Sequence, residues 1–132
     1  MTLVCDASAL VATLIDAGPR GDWLAKQISG SSLAAPCLID FEVVNVLRRH
    51  VLAERLGLEQ ATQAIEHLHR LRIERWPYEP LAVRVWELRN NASAYDASYV
   101  ALAEFLSATL VTLDVRLAGV PGLRCEVATP PV

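Results

Sequence analysis

Short apolar runs alternating with longer stretches of helical periodicity predict an α/β fold, a parallel sheet covered by helices on both faces. The absence of any linker, repeat or low-complexity tract adds that this sheet is continuous and belongs to one domain spanning residues 1–132. Thr2 to Cys5 reads as the first buried strand, followed by a helix from Ser8 to about Asp16 that stops before Gly18-Pro19. Residues 22 to 29 form a short amphipathic helix closed by Ser29-Gly30-Ser31-Ser32. Ser32 to Ala35 is a second strand, and Pro36 turns the chain into a long helix from Leu38 to Leu56 that Gly57 ends. The next helix, Leu58 to Arg70, carries Leu58, Ala61, Ile65 and Leu68 on one apolar face. These two helices are joined too tightly for a strand between them, which predicts a helical hairpin projecting from the sheet as a partner-binding surface. A strand follows from Ile73 to Trp76, ended by Pro77, then a helix opened by Pro80 and running to Arg89. Asn90-Asn91-Ala92-Ser93 punctuates the chain before a helix over residues 95–107 and a strand over 110–113. A weak last strand runs from Leu123 to Val127, and the tail Ala128 to Val132 is expected to be loose.

A chain of 132 residues, 53% of them hydrophobic, can bury one sizeable core but not two. No apolar stretch approaches the roughly 18 residues of a membrane span. The N-terminus has no basic region ahead of an apolar segment and no small-residue cleavage site, so the expected location is the cytoplasm, away from any membrane. Cys5, Cys37 and Cys125 are odd in number and lie in or beside apolar segments, which reads as small buried hydrophobes in a reducing compartment rather than as a disulfide framework. His50, His67 and His69 have no partners at a zinc-like spacing.

Chemistry is carried by acids. Asp6 follows the first strand and Asp114 the run Leu110-Val111-Thr112-Leu113, so both should emerge at carboxyl ends of parallel strands, the edge at which open α/β sheets bind ligands. Glu42 and Asp96 fall in the first turns of two helices that could return to the same edge. Four carboxylates gathered there repel one another unless divalent cations neutralise them, and carboxylate oxygens suit Mg²⁺ or Mn²⁺. Each acid also has a plainer reading. Asp6 could cap the helix near Ser8, Glu42 and Asp96 could complement helix dipoles, and Asp114 could cap a turn before Leu117.

Other residues could assist. Glu42, Asn45 and Arg49 share one helix face, opposite Val43, Val44, Leu47 and Val51, so the amide and guanidinium could contact a ribose, base or phosphate beside the carboxylate. A solvated face explains them equally. Ser8 and Thr112 could orient Asp6 and Asp114 or bond the local backbone. The net charge is -3, but setting the four acids aside leaves 11 acidic against 12 basic residues, so a cation-filled pocket need not repel a polyanion. All the basic residues except Lys26 are arginines, which suits bidentate phosphate contacts and equally fits a GC-rich coding bias.

Taken in order, Val4-Cys5-Asp6-Ala7-Ser8-Ala9-Leu10, Ala35-Pro36 followed by Glu42 and Leu47-Arg48-Arg49, Tyr95-Asp96-Ala97-Ser98-Tyr99-Val100-Ala101-Leu102-Ala103-Glu104, and Leu110-Val111-Thr112-Leu113-Asp114 resemble the PIN-domain ribonucleases, in particular VapC-type toxins. The resemblance covers nearly the whole chain and implies a three-layer α/β/α fold with an Mg²⁺- or Mn²⁺-dependent endoribonuclease site. Its acidic quartet maps onto Asp6, Glu42, Asp96 and Asp114. It further implies a toxin that cuts transfer or ribosomal RNA and stops translation, restrained by a cognate VapB-type antitoxin whose C-terminal segment lies in the toxin groove. A homodimer within a larger complex is the implied assembly. This chain has Arg116 where some members carry a further acidic or amide residue, which bears on a second metal position; the guanidinium could instead meet substrate phosphate.

Two other readings share the first-strand Asp or the fold. An Mg²⁺-dependent phosphatase or phosphoryl receiver would want a second acid where Ser8 stands and a lysine at a strand end, where Lys26 is not. A non-catalytic PIN-like binding module would keep the fold without turnover.

Overall fold

The structure, a computed structural model, describes residues 1–131. In chain order its elements are β1 (Thr2–Cys5), α1 (Ala7–Ile15), α2 (Pro19–Ile28), β2 (Ser32–Pro36), α3 (Ile39–Leu52), α4 (Leu58–Arg70), β3 (Ile73–Trp76), a 3₁₀ turn (Glu79–Leu81), α5 (Ala82–Glu87), α6 (Ala94–Phe105), β4 (Thr109–Val111), α7 (Val115–Ala118) and β5 (Val127–Ala128). The sheet is parallel throughout, in the order β3-β2-β1-β4-β5. Leu3, Val4 and Cys5 are all buried, as a central strand covered on both faces requires, and Val4 pairs with Ala34 on one side and Leu110 on the other. Helices flank the sheet in two groups. One joins α1 to α2, α3 and α4; the other sets α6 against α5, β1, β2 and β4. This is the expected three-layer α/β/α architecture. The α3–α4 hairpin forms as expected, and both of its helices also rest on α1.

Several boundaries differ from the sequence reading. α2 begins at Pro19 rather than at residue 22, because proline suits the first helical position, where no N–H is needed. Gly21 is required inside it, since a Cβ there would lie 1.9 Å from the Asp16 carbonyl oxygen. α3 ends at Leu52, not Leu56. Glu54 turns left-handed (φ 58°), the Glu54 N–H donates to Val51 O, and the Arg55 N–H donates to His50 O, a double closure that stops the helix. Gly57 therefore opens α4 instead of ending α3. Pro80 sits in the 3₁₀ turn, and α5 stops before Arg89 because Leu88 O takes the Asn91 and Ala92 N–H groups. β4 is Thr109–Val111, so Thr112 and Leu113 belong to the turn beyond the strand, and β5 is the edge pair Val127–Ala128 rather than Leu123 to Val127. Ala128 is thus not part of a loose tail; Val132 lies outside the described residues. Val44, expected on the apolar side of α3, is exposed, because the buried face of α3 runs through Ile39, Val43 and Leu47. Cys37 is likewise exposed, at the end of β2.

Candidate active site

The strand order reverses at β1, with β2 on one side and β4 on the other, so the ligand crevice of an open α/β sheet falls between the carboxyl ends of β1 and β4. The Asp6 N–H donates to Val111 O across that gap at 3.2 Å. Asp6 is the N-cap of α1 and is only 8% exposed. Its Oδ1 accepts from the Ala9 N–H (3.0 Å) and Ser8 Oγ (2.6 Å), and its Oδ2 accepts from Thr112 Oγ1. Capping is therefore real, and it is also what aims this carboxylate at the switch point. Ser8 Oγ takes the Leu113 N–H and Thr112 Oγ1 takes the Asp114 N–H, each at 3.0 Å, so the two hydroxyls stitch the β1 end to the turn after β4.

Glu42, in the first turn of α3, accepts a 2.5 Å hydrogen bond from the Tyr99 hydroxyl at Oε1. Asp96, in the first turn of α6, has its backbone N–H held by Ser93 Oγ at 3.1 Å. Burial pushes the Asp6 carboxyl above its ordinary range; its hydrogen bonds from Ser8, Thr112 and Ala9 oppose this, and the Asp96 charge adds to it. Burial also pushes Glu42 up, against the Tyr99 hydrogen bond and with the charges of Asp96 and Asp6. Asp6, Glu42 and Asp96 thus sit within reach of one another's fields. The hydrogen-bond partners of Asp6 and Glu42 are hydroxyls and an amide, not cations.

Asp114 stands apart in character. It lies three residues beyond β4, not at the strand end, and caps α7. Its Oδ1 accepts from the Arg116 N–H (3.0 Å) and Nε (3.1 Å), and its Oδ2 from Nη2 (2.8 Å). Those bonds hold its carboxyl below the usual range. Arg116 is accordingly engaged with an acid of the site rather than free for phosphate. Asn45 and Arg49 are both exposed on α3; Asn45 lines a shallow groove of about 540 Å³ with Phe41, Glu42 and Tyr95. On the other side, Ser8 is shared with an apolar cleft of about 470 Å³ lined by Val11, Ile15, Val46 and Leu113.

Tyr99 and Ser93 were not among the expected site residues. Both had a signal: Tyr99 follows Asp96 by one helical turn, and Ser93 precedes it by the spacing of a capping residue.

An all-oxygen donor set of three mutually repelling carboxylates suits a hard divalent cation. Among the described residues no three acid, histidine or cysteine side chains form a finished cage, because Asp6 is turned to its hydroxyls, Glu42 to Tyr99 and Asp114 to Arg116. Glu42 and Asp96 are half-buried at helix starts, where their side chains can turn toward an ion.

The sequence profile of the PIN domain matches residues 3–123. The chain belongs to the PIN domain family. Within that family it is similar to ribonuclease VapC9 of Mycobacterium tuberculosis, 42% identical over 129 residues that cover 98% of each chain. PIN-domain structures share its fold at lower identity. VapBC2 from Rickettsia felis, solved bound to a DNA fragment from its promoter, has a TM-score of 0.68 at 15% identity, covering 96% of this chain and 98% of that one. VapBC-5 from Mycobacterium tuberculosis, a member of the VapBC family of toxin-antitoxin systems, has a TM-score of 0.61 at 20% identity, covering 99% and 98%.

Proposed function

We propose that this PIN domain, acting as one unit over residues 1–132, is a metal-dependent endoribonuclease toxin of the VapC type. The observation that carries the reading is Asp6 at the β1/β4 switch point, with the charge of Asp96 raising the proton affinity of both Asp6 and Glu42 and neither carboxylate bonded to a cation. Asp6, Glu42, Asp96 and Asp114 are the residues that would hold Mg²⁺ or Mn²⁺, which when bound supplies charge stabilisation at a phosphodiester and a more acidic water. The chain's own contribution is positional. Ser8 and Thr112 fix the rotamer of Asp6, Tyr99 fixes Glu42, and Ser93 fixes the start of the helix that presents Asp96. Asn45, beside Glu42, is placed to meet a ribose or base, and Arg49 further along the same helix to meet a phosphate.

Transfer or ribosomal RNA is the proposed substrate and arrest of translation the consequence. The proposed partner is a VapB-type antitoxin, consistent with the VapBC relatives, within a complex containing a toxin homodimer. The test is incubation of antitoxin-free protein with cellular RNA and Mg²⁺ or Mn²⁺. Cleavage should disappear in EDTA and fall by at least about 100-fold in Asp6→Asn and Asp96→Asn. Cleavage that persists unchanged under either treatment sinks the reading.

A further inference from the structure

Arg116 is the only basic side chain hydrogen-bonded to a quartet acid among the described residues. Its guanidinium meets both oxygens of Asp114 in a fork, while its own backbone N–H takes the same Oδ1, so three of the acceptor positions of that carboxylate are filled from one residue. Asp114 is at the same time tied to the deepest acid: its N–H donates to Thr112 Oγ1, and that hydroxyl donates to Asp6. The backbone of Asp114 is therefore anchored to the site while its carboxylate is occupied by a cation. The charge of Asp96 also reaches Arg116, so the guanidinium lies within the field of a second quartet acid.

This contact is built to be replaced. It closes over two residues of chain, so it holds no distant elements together, and the Arg116 side chain is 84% exposed. A solvent-screened pair of this kind is weak, and a divalent ion competes with it favourably.

We propose that Arg116 is a displaceable internal counter-cation that occupies Asp114 in the metal-free protein and competes with a divalent ion for that carboxylate. The proposal rests on the metal-dependent reading above. It explains how an arginine can stand beside the quartet without abolishing it: displacement frees the guanidinium at the mouth of the crevice, where an RNA phosphate is the next available anion.

The test is Mn²⁺ binding to the full, antitoxin-free chain at low ionic strength, followed by the electron paramagnetic resonance signal of free Mn²⁺. Arg116→Ala should bind Mn²⁺ about two- to fivefold more tightly than the unaltered chain, and added KCl should shrink the gain. Arg116→Gln, which keeps most of the side chain's length, should behave alike. Arg55→Ala removes the same charge beyond the far end of α3 and should leave affinity unchanged. In an Asp114→Asn background, Arg116→Ala should give no gain. Tightening that appears equally in Arg55→Ala, or survives Asp114→Asn, overturns the proposal, as does unchanged or weakened binding in both Arg116 variants. Absence of Mn²⁺ binding in every variant overturns the metal-dependent reading itself, a result distinguishable from failure of the arginine's role alone.

Discussion

Asp6 is a buried carboxyl whose hydrogen bonds from Ser8, Thr112 and Ala9 oppose the effect of burial. Its pKa and that of Glu42 are raised in the folded chain, chiefly by burial, so between the unfolded and folded values the native state binds more protons. Their contribution to stability is complete below the ordinary carboxylate range and is lost as pH rises through the folded values. Asp114 has the opposite sign: its depressed value contributes stability present above the ordinary range and lost as pH falls through the folded value. Asp6→Asn keeps an acceptor for the Ala9 N–H, loses the one for Thr112 Oγ1 and removes the charge, so in EDTA its stability relative to the unaltered chain should rise as pH is raised from about 4, where carboxylates ionise, to neutrality. Equal pH profiles in chemical denaturation would remove Asp6 as the source. Tyr99 is a second residue-scale determinant, 2% exposed with its hydroxyl on Glu42. Tyr99→Phe should cost about 1–2 kcal/mol in the same assay, the partial exposure of Glu42 limiting the loss. An unchanged midpoint would contradict that hydrogen bond.

At the scale of elements, helix ends govern which groups reach the site. α1 and α7 start at Asp6 and Asp114, and α6 starts at Ser93, one turn ahead of Asp96, so capping and site-building use the same residues or their close neighbours. Of the two readings of Asp6 that the sequence leaves open, capping is observed, and it places the same carboxylate at the β1/β4 edge where the proposed site lies. Helix exits show a different economy: α3 and α6 both end through left-handed residues that are not glycine, Glu54 (φ 58°) and Ser107 (φ 51°). Glu54→Gly should stabilise the α3–α4 turn by about 0.5–1 kcal/mol, since glycine adopts this conformation without the Cβ clash. A melting temperature at or below that of the unaltered chain would show that the strain is relieved elsewhere. Those exits were poorly legible. Gly57 looked like the stop signal because glycine usually occupies that position, whereas here the hydrogen bonds to His50 and Val51 close the helix on Glu54 and Arg55.

Across the whole molecule, the far edge of the sheet depends on one partly buried ion pair. Glu104 on α6 accepts from Arg84 of α5 at 2.6 Å and 3.1 Å and from the Arg124 N–H at 2.7 Å, while Arg84 also donates to Gly122 O. These bonds fasten the irregular segment before β5 to the α5–α6 layer. Glu104→Ala leaves the Arg84 charge and the Arg124 N–H without their acceptor, and should cost about 2 kcal/mol with faster amide exchange over residues 119–126. Unchanged exchange there would mean that β4–β5 pairing alone holds the segment.

The α/β alternation, the strands at Thr2–Cys5 and Ile73–Trp76, and the helix Leu58–Arg70 were readable directly, because buried strands and amphipathic helices write their periods into local sequence. The positions of Asp6 after β1 and of Glu42 and Asp96 in first helical turns were readable for the same reason, whereas Asp114, expected at a strand end, lies in the turn beyond β4. What local sequence could not carry is the strand order β3-β2-β1-β4-β5, which puts the Asp6 end of the chain against Thr112 and brings Tyr99 to Glu42. Nor could it show that Asp114 faces its own Arg116. Such pairings join residues 57 and 106 positions apart, or select one rotamer among several, and only packing of the complete chain decides them.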